Sequence, residues 1–225
     1  MANLIEAFKN KTELKAYYSQ PSVVQHYADA VITVGLWLSE AKICNRIFSK
    51  EATLLDIGTG AGRVPIGLHE QGYSNIMGID CCKPMVEAAR DLSKRLDCAM
   101  PFQTADATAL PFGRDVFDGI ICNDVLMEIP SWEERETAIF EIAQALKPEG
   151  LFLWTIPLDK NLPKDLSYRS AQDSKDSDNQ YLLKALKAAK LEVEVDVARS
   201  LLASEPPEVE AFAGECQFWI AKKLA

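Results

Sequence analysis

The stretch that decides the fold is Leu54-Leu55-Asp56-Ile57-Gly58-Thr59-Gly60-Ala61-Gly62-Arg63. An apolar run leads directly into three glycines that alternate with other residues. Glycine permits positive φ and lets the backbone approach a ligand closely. The first amides of a helix carry N–H groups without intrahelical partners, and these groups favour ligands that accept hydrogen bonds. The stretch therefore predicts a strand, a ligand-binding turn and a helix.

From residue 51 onward, short apolar runs alternate with longer amphipathic segments, which is typical of β-α-β units in a mostly parallel sheet. The helix predicted over 132–146 shows apolar residues near the spacing of one buried face, and the run Lys147-Pro148-Glu149-Gly150 ends it. The predicted strands cover residues 53–57, 75–79, 101–104, 118–122, 150–156, 191–197 and 217–221. The predicted helices cover residues 62–71, 84–96, 132–146 and 181–190.

The chain of 225 residues has the composition of one globular domain, and we expect a single domain over 1–225. Residues 1–50 are expected to form an N-terminal helical lid, with one or two helices over 22–48 broken near Gly35. Residues 51–156 form the predicted core, and residues 181–225 supply a helix and two strands. Residues 157–180 are polar and aperiodic, so they are predicted to be a loop or lid.

The formal net charge of −9 disfavours phosphate backbones, so nucleic acid is not expected as a partner. No apolar run is long enough to span a membrane, and the N-terminus lacks a secretory pattern, so a cytoplasmic protein is expected. The six cysteines include no C-x-x-C pair, which disfavours zinc and other metal sites, disulfide frameworks and a redox role for the adjacent Cys81 and Cys82.

The spacing of the glycines separates two classes of nucleotide-binding turn. A nicotinamide or flavin fingerprint reads G-x-G-x-x-G, and its third glycine would stand where this chain has Arg63. Asp56, two residues before the first glycine, can accept hydrogen bonds from an ammonium group or organise the turn, and neither task suits a pyrophosphate. The pattern D-x-G-x-G-x-G resembles motif I of the class I S-adenosylmethionine-dependent methyltransferases.

Four further segments resemble the same family in the same order. The carboxylate of Asp80 in Ile76-Met77-Gly78-Ile79-Asp80 would accept the ribose hydroxyls, and Cys81-Cys82-Lys83-Pro84-Met85 resembles the segment that flanks the adenine. Cys82 departs from the family, which usually has a helix-capping serine there. The others are residues 103–112, 117–129 and 146–150, of which the last reads Leu146-Lys147-Pro148-Glu149-Gly150.

The resemblance implies an α/β, three-layer Rossmann-like fold with a mostly parallel seven-stranded sheet, its last strand antiparallel, and helices on both faces. It implies S-adenosylmethionine as cofactor and is nearest to the small-molecule enzymes of the ubiquinone and menaquinone methyltransferase group. In this reading Asp106 accepts from the adenine amino group, the Ala107 amide meets a ring nitrogen, and the Asn123 backbone contacts the methionine part. The implied cofactor residues are Asp56, Gly58, Thr59, Gly60, Asp80, Cys81, Met85, Asp106, Ala107 and Asn123.

Methyl transfer from a sulfonium depends mainly on holding the nucleophile in line with the C–S bond, so no obligate catalytic residue is implied. A general base is needed only if the acceptor loses a proton. His26, Asp124 and Glu128 are candidates, although a packed or solvated His26 is an open alternative. Tyr18, Trp37 and Glu128 are candidates for an acceptor pocket, and for Trp37 a core position also stays open.

The run Cys122-Asn123-Asp124-Val125 replaces the N-P-P-Y or D-P-P-Y segment of many methyltransferases that act on planar amino groups. A small-molecule acceptor is therefore expected, through O, N, S or C. A cofactor-binding accessory protein without catalysis remains an alternative. No feature of the sequence marks an oligomer interface.

Overall fold

The computed structural model of the chain describes residues 8–157, 177–213 and 215–225. The described residues form one seven-stranded sheet in the order β3-β2-β1-β4-β5-β7-β6. The strands are β1 (Leu54–Ile57), β2 (Ile76–Asp80), β3 (Phe102–Thr104), β4 (Phe117–Asn123), β5 (Leu146–Pro157), β6 (Leu191–Ala198) and β7 (Cys216–Lys223).

Helices precede the sheet and connect its strands. In chain order they are α1 (Lys11–Tyr18), α2 (Pro21–Thr33), α3 (Leu38–Ile47), α4 (Arg63–Glu70), α5 (Lys83–Arg95), α6 (Trp132–Ala145), α7 (Ser177–Ala188), α8 (Arg199–Leu202) and α9 (Pro207–Ala213). A short 3₁₀ helix follows β4 over Leu126–Glu128.

Strand direction confirms the predicted fold class. Strands β1 to β5 pair in parallel, whereas β7 is antiparallel to both of its neighbours, β5 and β6. The order of the strands reverses at β1, which lies between β2 and β4. Open α/β sheets bind ligands at the carboxyl ends of their strands at such a switch point. The fold therefore places the glycine turn after β1 where a ligand site is expected.

Buried side chains alternate between the two faces of the sheet and give it three layers. On β4, Ile120 belongs to the core that includes Ile142 of α6, whereas the next residue, Ile121, belongs to the core that includes Ile43 of α3. All four side chains are buried. Two apolar cores on opposite faces hold the strand ends in fixed positions, because each face is sealed by helices.

The turn predicted at 147–150 lies at the start of β5, which begins earlier than expected. The pairing with β4 shifts from Phe117 opposite Leu146 to Gly119 opposite Leu151. Glu149, where the family pattern has glycine, adopts a φ of 66°. The proline and glycine therefore make an irregular entry to a longer strand and do not simply precede it.

The predicted break near Gly35 is present, since α2 ends at Thr33, α3 begins at Leu38 and Gly35 has a φ of 63°. The predicted loop or lid over 157–180 falls mainly outside the described residues. Helices α8 and α9 were not predicted from the sequence, because segments of four and seven residues are too short to show apolar periodicity. Within the described ranges, no helix is both long and apolar enough to cross a membrane.

Candidate functional site

A cavity opens at the carboxyl ends of β1, β2, β3 and β4 and is covered by residues of α1, α2 and α9. All ten residues predicted to bind the cofactor line it, as do Tyr18, Trp37, Asp124 and Glu128. We call the side formed by Asp56, Gly58, Gly60, Asp80 and Asp106 the strand half. We call the side formed by Tyr18, Tyr27, Glu128 and Phe212 the helix half.

Two glycines keep the floor of the strand half open. Gly58 has a φ of 71°, and a Cβ on it would lie 2.2 Å from Cγ2 of Val125. Gly60 has a φ of 53°, and its added Cβ would lie 3.7 Å from Cδ1 of Tyr27 in the helix half. Side chains other than hydrogen are disfavoured at such φ values. The turn therefore exposes backbone to the cavity only because glycine stands at these positions.

Asp56 ends up almost fully buried below the turn, with an exposed fraction of 3%. Burial raises the pKa of its carboxyl to about 7, and the nearby positive charge of Arg63 counteracts part of this increase. A buried carboxylate at a cavity wall favours a cationic group as its partner. A cationic ligand group is therefore a suitable partner for Asp56.

Asp80 links the glycine turn to the start of α5. Its Oδ2 accepts from the Gly60 amide at 2.9 Å and its Oδ1 accepts from the Cys82 amide at 2.8 Å. Burial raises its pKa, and these two hydrogen bonds counteract the increase. The Cys82 thiol does not cap α5, so the aspartate supplies the polar contact at this helix start. Each carboxylate oxygen keeps a lone pair for a ligand hydroxyl.

Cys81 and Met85, which the resemblance predicts to flank the adenine, line the cavity beside Asp80. Asp80, Cys81 and Cys82 also place possible metal-ligating atoms within 4.8 Å of one another, a proximity that the lack of a C-x-x-C pair did not suggest. The two backbone hydrogen bonds that Asp80 accepts give its carboxylate a role in organising the turn.

Asp106 and Ala107 line the far end of the strand half. The Asp106 carboxylate accepts from Lys11 Nζ at 3.0 and 3.1 Å, and its Oδ1 also accepts from the Thr108 amide at 3.0 Å. Partial burial acts in the opposite direction, but the hydrogen bonds from Thr108 and Lys11 lower the pKa of the carboxyl. Lys11 was not predicted, because a lysine in a polar N-terminal segment gives no signal of a contact with a residue 95 positions away.

A buried carboxylate, Glu40, lies beneath the cavity and was also missed. It accepts from Arg63 at 2.6 and 2.7 Å, from the Trp37 amide at 2.9 Å and from Asn123 Nδ2 at 2.9 Å. Arg63 also donates to the Gly35 carbonyl at 3.0 Å, and its guanidinium carbon lies 4.5 Å from the centre of the Trp37 ring. The network joins α3, α4 and the end of β4. Arg63 stands where a dinucleotide fingerprint has its third glycine. Here its side chain holds the N-terminal helices against the sheet.

Asp124 lies at the junction of the two halves, immediately after β4. It adopts a φ of 57°, its amide donates to Thr155 Oγ1 at 2.9 Å, and that hydroxyl donates to Asp124 Oδ1 at 2.8 Å. Burial raises the pKa of its carboxyl, and the hydrogen bond from Thr155 counteracts this. A carboxylate held in this way can face a ligand without changing rotamer.

Aromatic rings and one carboxylate form the helix half. The ring centres of Tyr18 and Tyr27 are 6.0 Å apart, and those of Tyr27 and Phe212 are 6.1 Å apart. Burial raises the pKa of Glu128, and a hydrogen bond from Tyr18 counteracts the increase. Burial also raises the pKa of Tyr27 to about 12, so its hydroxyl stays protonated at neutral pH.

His26 is not brought into the cavity. It is exposed, and its ring stacks on Phe212 with centres 5.6 Å apart and an interplanar angle of 24°. Its neighbour Tyr27 lines the cavity instead. Because successive residues of a helix point about 100° apart, only one of the two can face the cavity. The geometry thus gives no support to His26 as a base, and Phe212, like Lys11, is a cavity residue that the sequence did not reveal.

One buried hydrogen-bond acceptor at the cavity wall indicates that a polar ligand approaches the turn. The side-chain oxygen Oδ1 of Asn123 is buried at the cavity wall without a hydrogen-bond partner among the described residues. Buried acceptors are nearly always paired, so such an atom indicates a missing donor. The open glycine turn, the acceptors Asp56 and Asp80, and the apolar wall at Met85 suit an adenosyl group carrying an amino acid.

A protein-family model described as a methyltransferase domain matches residues 55–154. Residues 55–154 form a class I S-adenosylmethionine-dependent methyltransferase domain. S-adenosylmethionine is its cofactor. The matched region begins in β1 and ends in β5, so it contains the whole glycine turn and the strand ends that line the cavity.

Known proteins agree with this assignment. The chain is 28% identical to methyltransferase GfsG of Streptomyces halstedii over 136 residues, which is 60% of this chain and 46% of that protein. The matched regions span less than half the length of the curated relatives.

Two solved structures share the fold. The [4+2]-cyclase SpnF superposes with a TM-score of 0.69 at 16% identity, covering 96% of this chain and 97% of that one. Magnesium protoporphyrin IX methyltransferase of Synechocystis PCC 6803, solved with bound S-adenosylmethionine, gives a TM-score of 0.62 at 17% identity, covering 97% and 99%.

Proposed function

We propose that this chain transfers the methyl group of S-adenosylmethionine to a small-molecule acceptor and releases S-adenosylhomocysteine. The observation that carries the proposal is that one cavity combines a complete cofactor side with a second, aromatic and acidic side. A protein that only bound the cofactor would not need Glu128 and three aromatic rings beside the same cavity.

The chain's own residues account for each part of the cofactor. Asp56 would accept from the ammonium group, the Asn123 backbone would contact the methionine part, and Asp80 would accept from the ribose hydroxyls. Asp106 would accept from the adenine amino group and the Ala107 amide would donate to a ring nitrogen, with Cys81 and Met85 on the two faces of the ring. The turn residues Gly58, Thr59 and Gly60 would pass beneath the methionine part.

The bound cofactor supplies an electrophilic methyl group on a positively charged sulfur. The protein needs to exclude water and to hold the acceptor atom in line with the C–S bond, and such positioning lowers a barrier by about 7–11 kcal/mol. Tyr18, Tyr27 and Phe212 would provide the apolar walls. Asp124 and Glu128 are the groups near enough to accept a proton, if the acceptor must lose one.

Calorimetry with S-adenosylhomocysteine, followed by an assay of its release during incubation with acceptors, tests the proposal. We expect micromolar binding that Asp80→Ala weakens by roughly 10–100-fold, because charge-assisted hydrogen bonds to both ribose hydroxyls are lost. Asp91→Ala on the exposed face of α5 is the control for the loss of a negative charge.

Absence of cofactor binding would contradict the proposal. Cofactor binding without turnover of any acceptor would instead favour the accessory protein that binds the cofactor without catalysis. The small-molecule acceptor and the cytoplasmic location both stay predictions, and the acceptor assay tests the first.

A further inference from the structure

The cavity is lined by more negative than positive groups. Five carboxylates line it, and the basic side chains among the described lining residues are Lys11 and Arg63. Lys11 is paired with Asp106, and Arg63 is paired with Glu40. Neither is therefore available to neutralise an anionic acceptor.

The cofactor accounts for only three of the five carboxylates. Under the proposed function, Asp56, Asp80 and Asp106 are assigned to its ammonium, ribose and adenine groups. Asp124 and Glu128 have no such assignment. Asp124 is held by Thr155 beside the turn, whereas Glu128 belongs to the helix half, next to Tyr18.

We infer that the acceptor presents a protonatable amine to Glu128 and that this nitrogen receives the methyl group. The inference rests on the proposed function, because it names the class of acceptor for the same cavity.

The aromatic walls suit such a ligand. The rings of Tyr18 and Tyr27 meet at 64° and those of Tyr27 and Phe212 at 84°, so the three rings present both faces and edges. Faces of aromatic rings attract cations, and the rings also bury the apolar body of a small amine. An anionic acceptor would meet the same ring faces and the Glu128 carboxylate unfavourably.

The groups around Glu128 leave its carboxylate available to the ligand. The nearby Tyr18 hydroxyl lowers the pKa of Glu128, whereas the negative charge of Asp124 raises it. A cation that acts on it is Arg135, whose guanidinium donates to the backbone carbonyls of Ile129 at 2.7 Å and Met127 at 2.9 Å. Arg135 is therefore hydrogen-bonded to the backbone that follows β4, and it is not one of the described residues that line the cavity.

The chemical step then balances with groups already assigned. Glu128 accepts a proton from the bound ammonium group, which frees the nitrogen lone pair. The lone pair forms the new N–C bond while the C–S bond breaks, and the bonding electrons stay on sulfur. The positive charge moves from sulfur to the methylated nitrogen, and the proton remains on Glu128 until solvent removes it.

Matched sets of small molecules test the charge preference without knowledge of the natural acceptor. Three skeletons are used, each as amine, alcohol and carboxylate. The sets are phenethylamine, phenethyl alcohol and hydrocinnamate; cyclohexylmethylamine, cyclohexylmethanol and cyclohexylacetate; and hexylamine, hexanol and heptanoate. Binding to the full chain saturated with S-adenosylhomocysteine is measured by saturation-transfer NMR. We expect the amines to bind at least about tenfold more tightly than the carboxylates.

Glu128→Gln should remove most of this preference while it keeps the affinity for S-adenosylhomocysteine. Glu136→Gln, the same substitution at an exposed position of α6, is the matched control and should leave the preference unchanged. When S-adenosylmethionine replaces the product, mass spectrometry should find a methyl group on the bound amines and none on the alcohols.

Equal binding of the three members of each set, or binding of none, overturns the inference. A preference for amines that survives in Glu128→Gln overturns the role of that residue, and bound amines that are never methylated overturn the assignment of nitrogen. Loss of S-adenosylhomocysteine binding is a separate result, measured first, and counts against the proposed function itself.

Discussion

The two halves of the cavity differ in how they are built. The strand half takes its residues from the ends of consecutive parallel strands, so their separation in space follows from the sheet. The helix half takes Tyr18, Tyr27, Glu128 and Phe212 from four helices spread over almost the whole chain. The strand half is thus specified by local motifs, whereas the helix half is specified by tertiary packing.

This difference explains why the sequence of the strand half predicts a ligand and the sequence of the helix half does not. A strand end followed by a turn can be varied little without loss of the backbone geometry that the ligand needs. Helices that cover a cavity can exchange side chains freely, because their buried faces and their cavity faces are separate. Backbone geometry therefore constrains the strand half, whereas the helix half leaves room for different side chains.

The largest effect is expected where the strand half is most constrained. Gly58→Ala places a Cβ against Val125 at a φ of 71°. Overpacking costs about 1–3 kcal/mol of unfolding free energy and the left-handed backbone about 1–2 kcal/mol. Because the turn must also move to relieve the contact with Val125, affinity for S-adenosylhomocysteine should fall roughly 100-fold or more. Calorimetry measures the affinity, and urea unfolding measures the free energy of unfolding.

Gly72→Ala is the matched control for this substitution. Gly72 has a φ of 92°, its added Cβ meets nothing within 4 Å, and it does not line the cavity. It should cost about 1–2 kcal/mol of stability and leave cofactor affinity unchanged. If the two substitutions weaken binding equally, backbone strain alone is responsible and the close approach at Gly58 has no special role.

The next largest effect concerns the network that joins the halves. Glu40→Gln leaves the buried Arg63 cation without its charge partner, and such a loss costs about 3–5 kcal/mol of unfolding free energy. Glu87→Gln removes the partner of Lys83 on the exposed face of α5, at 3.5 Å, and should cost less than about 0.5 kcal/mol. Urea denaturation compares the two, and a similar small loss in both would show that the buried pair does not anchor the N-terminal helices.

The sequence predicted the sheet and the strand half well for a physical reason. Asp56, Asp80 and Asp106 each follow a short apolar strand, and parallel strands bring their carboxyl ends to one edge. Glu40, Lys11 and Phe212 could not be predicted in the same way. Glu40 reads as an ordinary polar residue of an amphipathic helix, and Lys11 and Phe212 reach the cavity only after distant segments pack.

Arg63 excluded one class of nucleotide-binding turn, but its own structural role could not be predicted from the motif. Its position correctly separated this turn from the dinucleotide fingerprint, but the sequence could not indicate that its guanidinium pairs with Glu40 across 23 residues. The wrong start of β5 has a related cause, because a proline and a glycine within an irregular strand entry look like a turn outside it.

The strand half should also respond to pH through Asp56, whose pKa of about 7 results from burial. At about pH 6 most of this carboxyl is protonated before binding, and an ammonium group favours the ionised form. Binding of S-adenosylhomocysteine should therefore release up to about one proton, and its affinity should rise as the pH approaches 8. Calorimetry in buffers of different ionisation enthalpy counts the protons.

The stability of the ligand-free protein should change with pH in the direction opposite to that of the cofactor affinity. A carboxyl whose pKa is higher in the fold than in the unfolded chain makes the ligand-free protein less stable as the pH rises from about 4 to about 7. Asp56→Asn should abolish both the proton release and this part of the pH dependence. Proton release that persists in Asp56→Asn would assign it to Asp80 or Asp124 instead.

The smallest effect is expected at His26, which tests whether the boundary of the helix half is drawn correctly. The ring is exposed, stacks on Phe212 and meets the edge of Tyr27, and these two rings separate it from the cavity. His26→Ala should lower the free energy of unfolding by less than about 1 kcal/mol, since an exposed ring stacked on a half-buried one contributes little beyond its area. Affinity for S-adenosylhomocysteine and the rate of methyl transfer should each change less than about twofold, since no proton passes through this residue.

Phe212→Ala, which removes the ring that does line the cavity, should instead raise the KM of the acceptor while leaving cofactor affinity intact. A loss of turnover in His26→Ala with normal acceptor binding would restore this histidine as a base and move the boundary of the helix half outward.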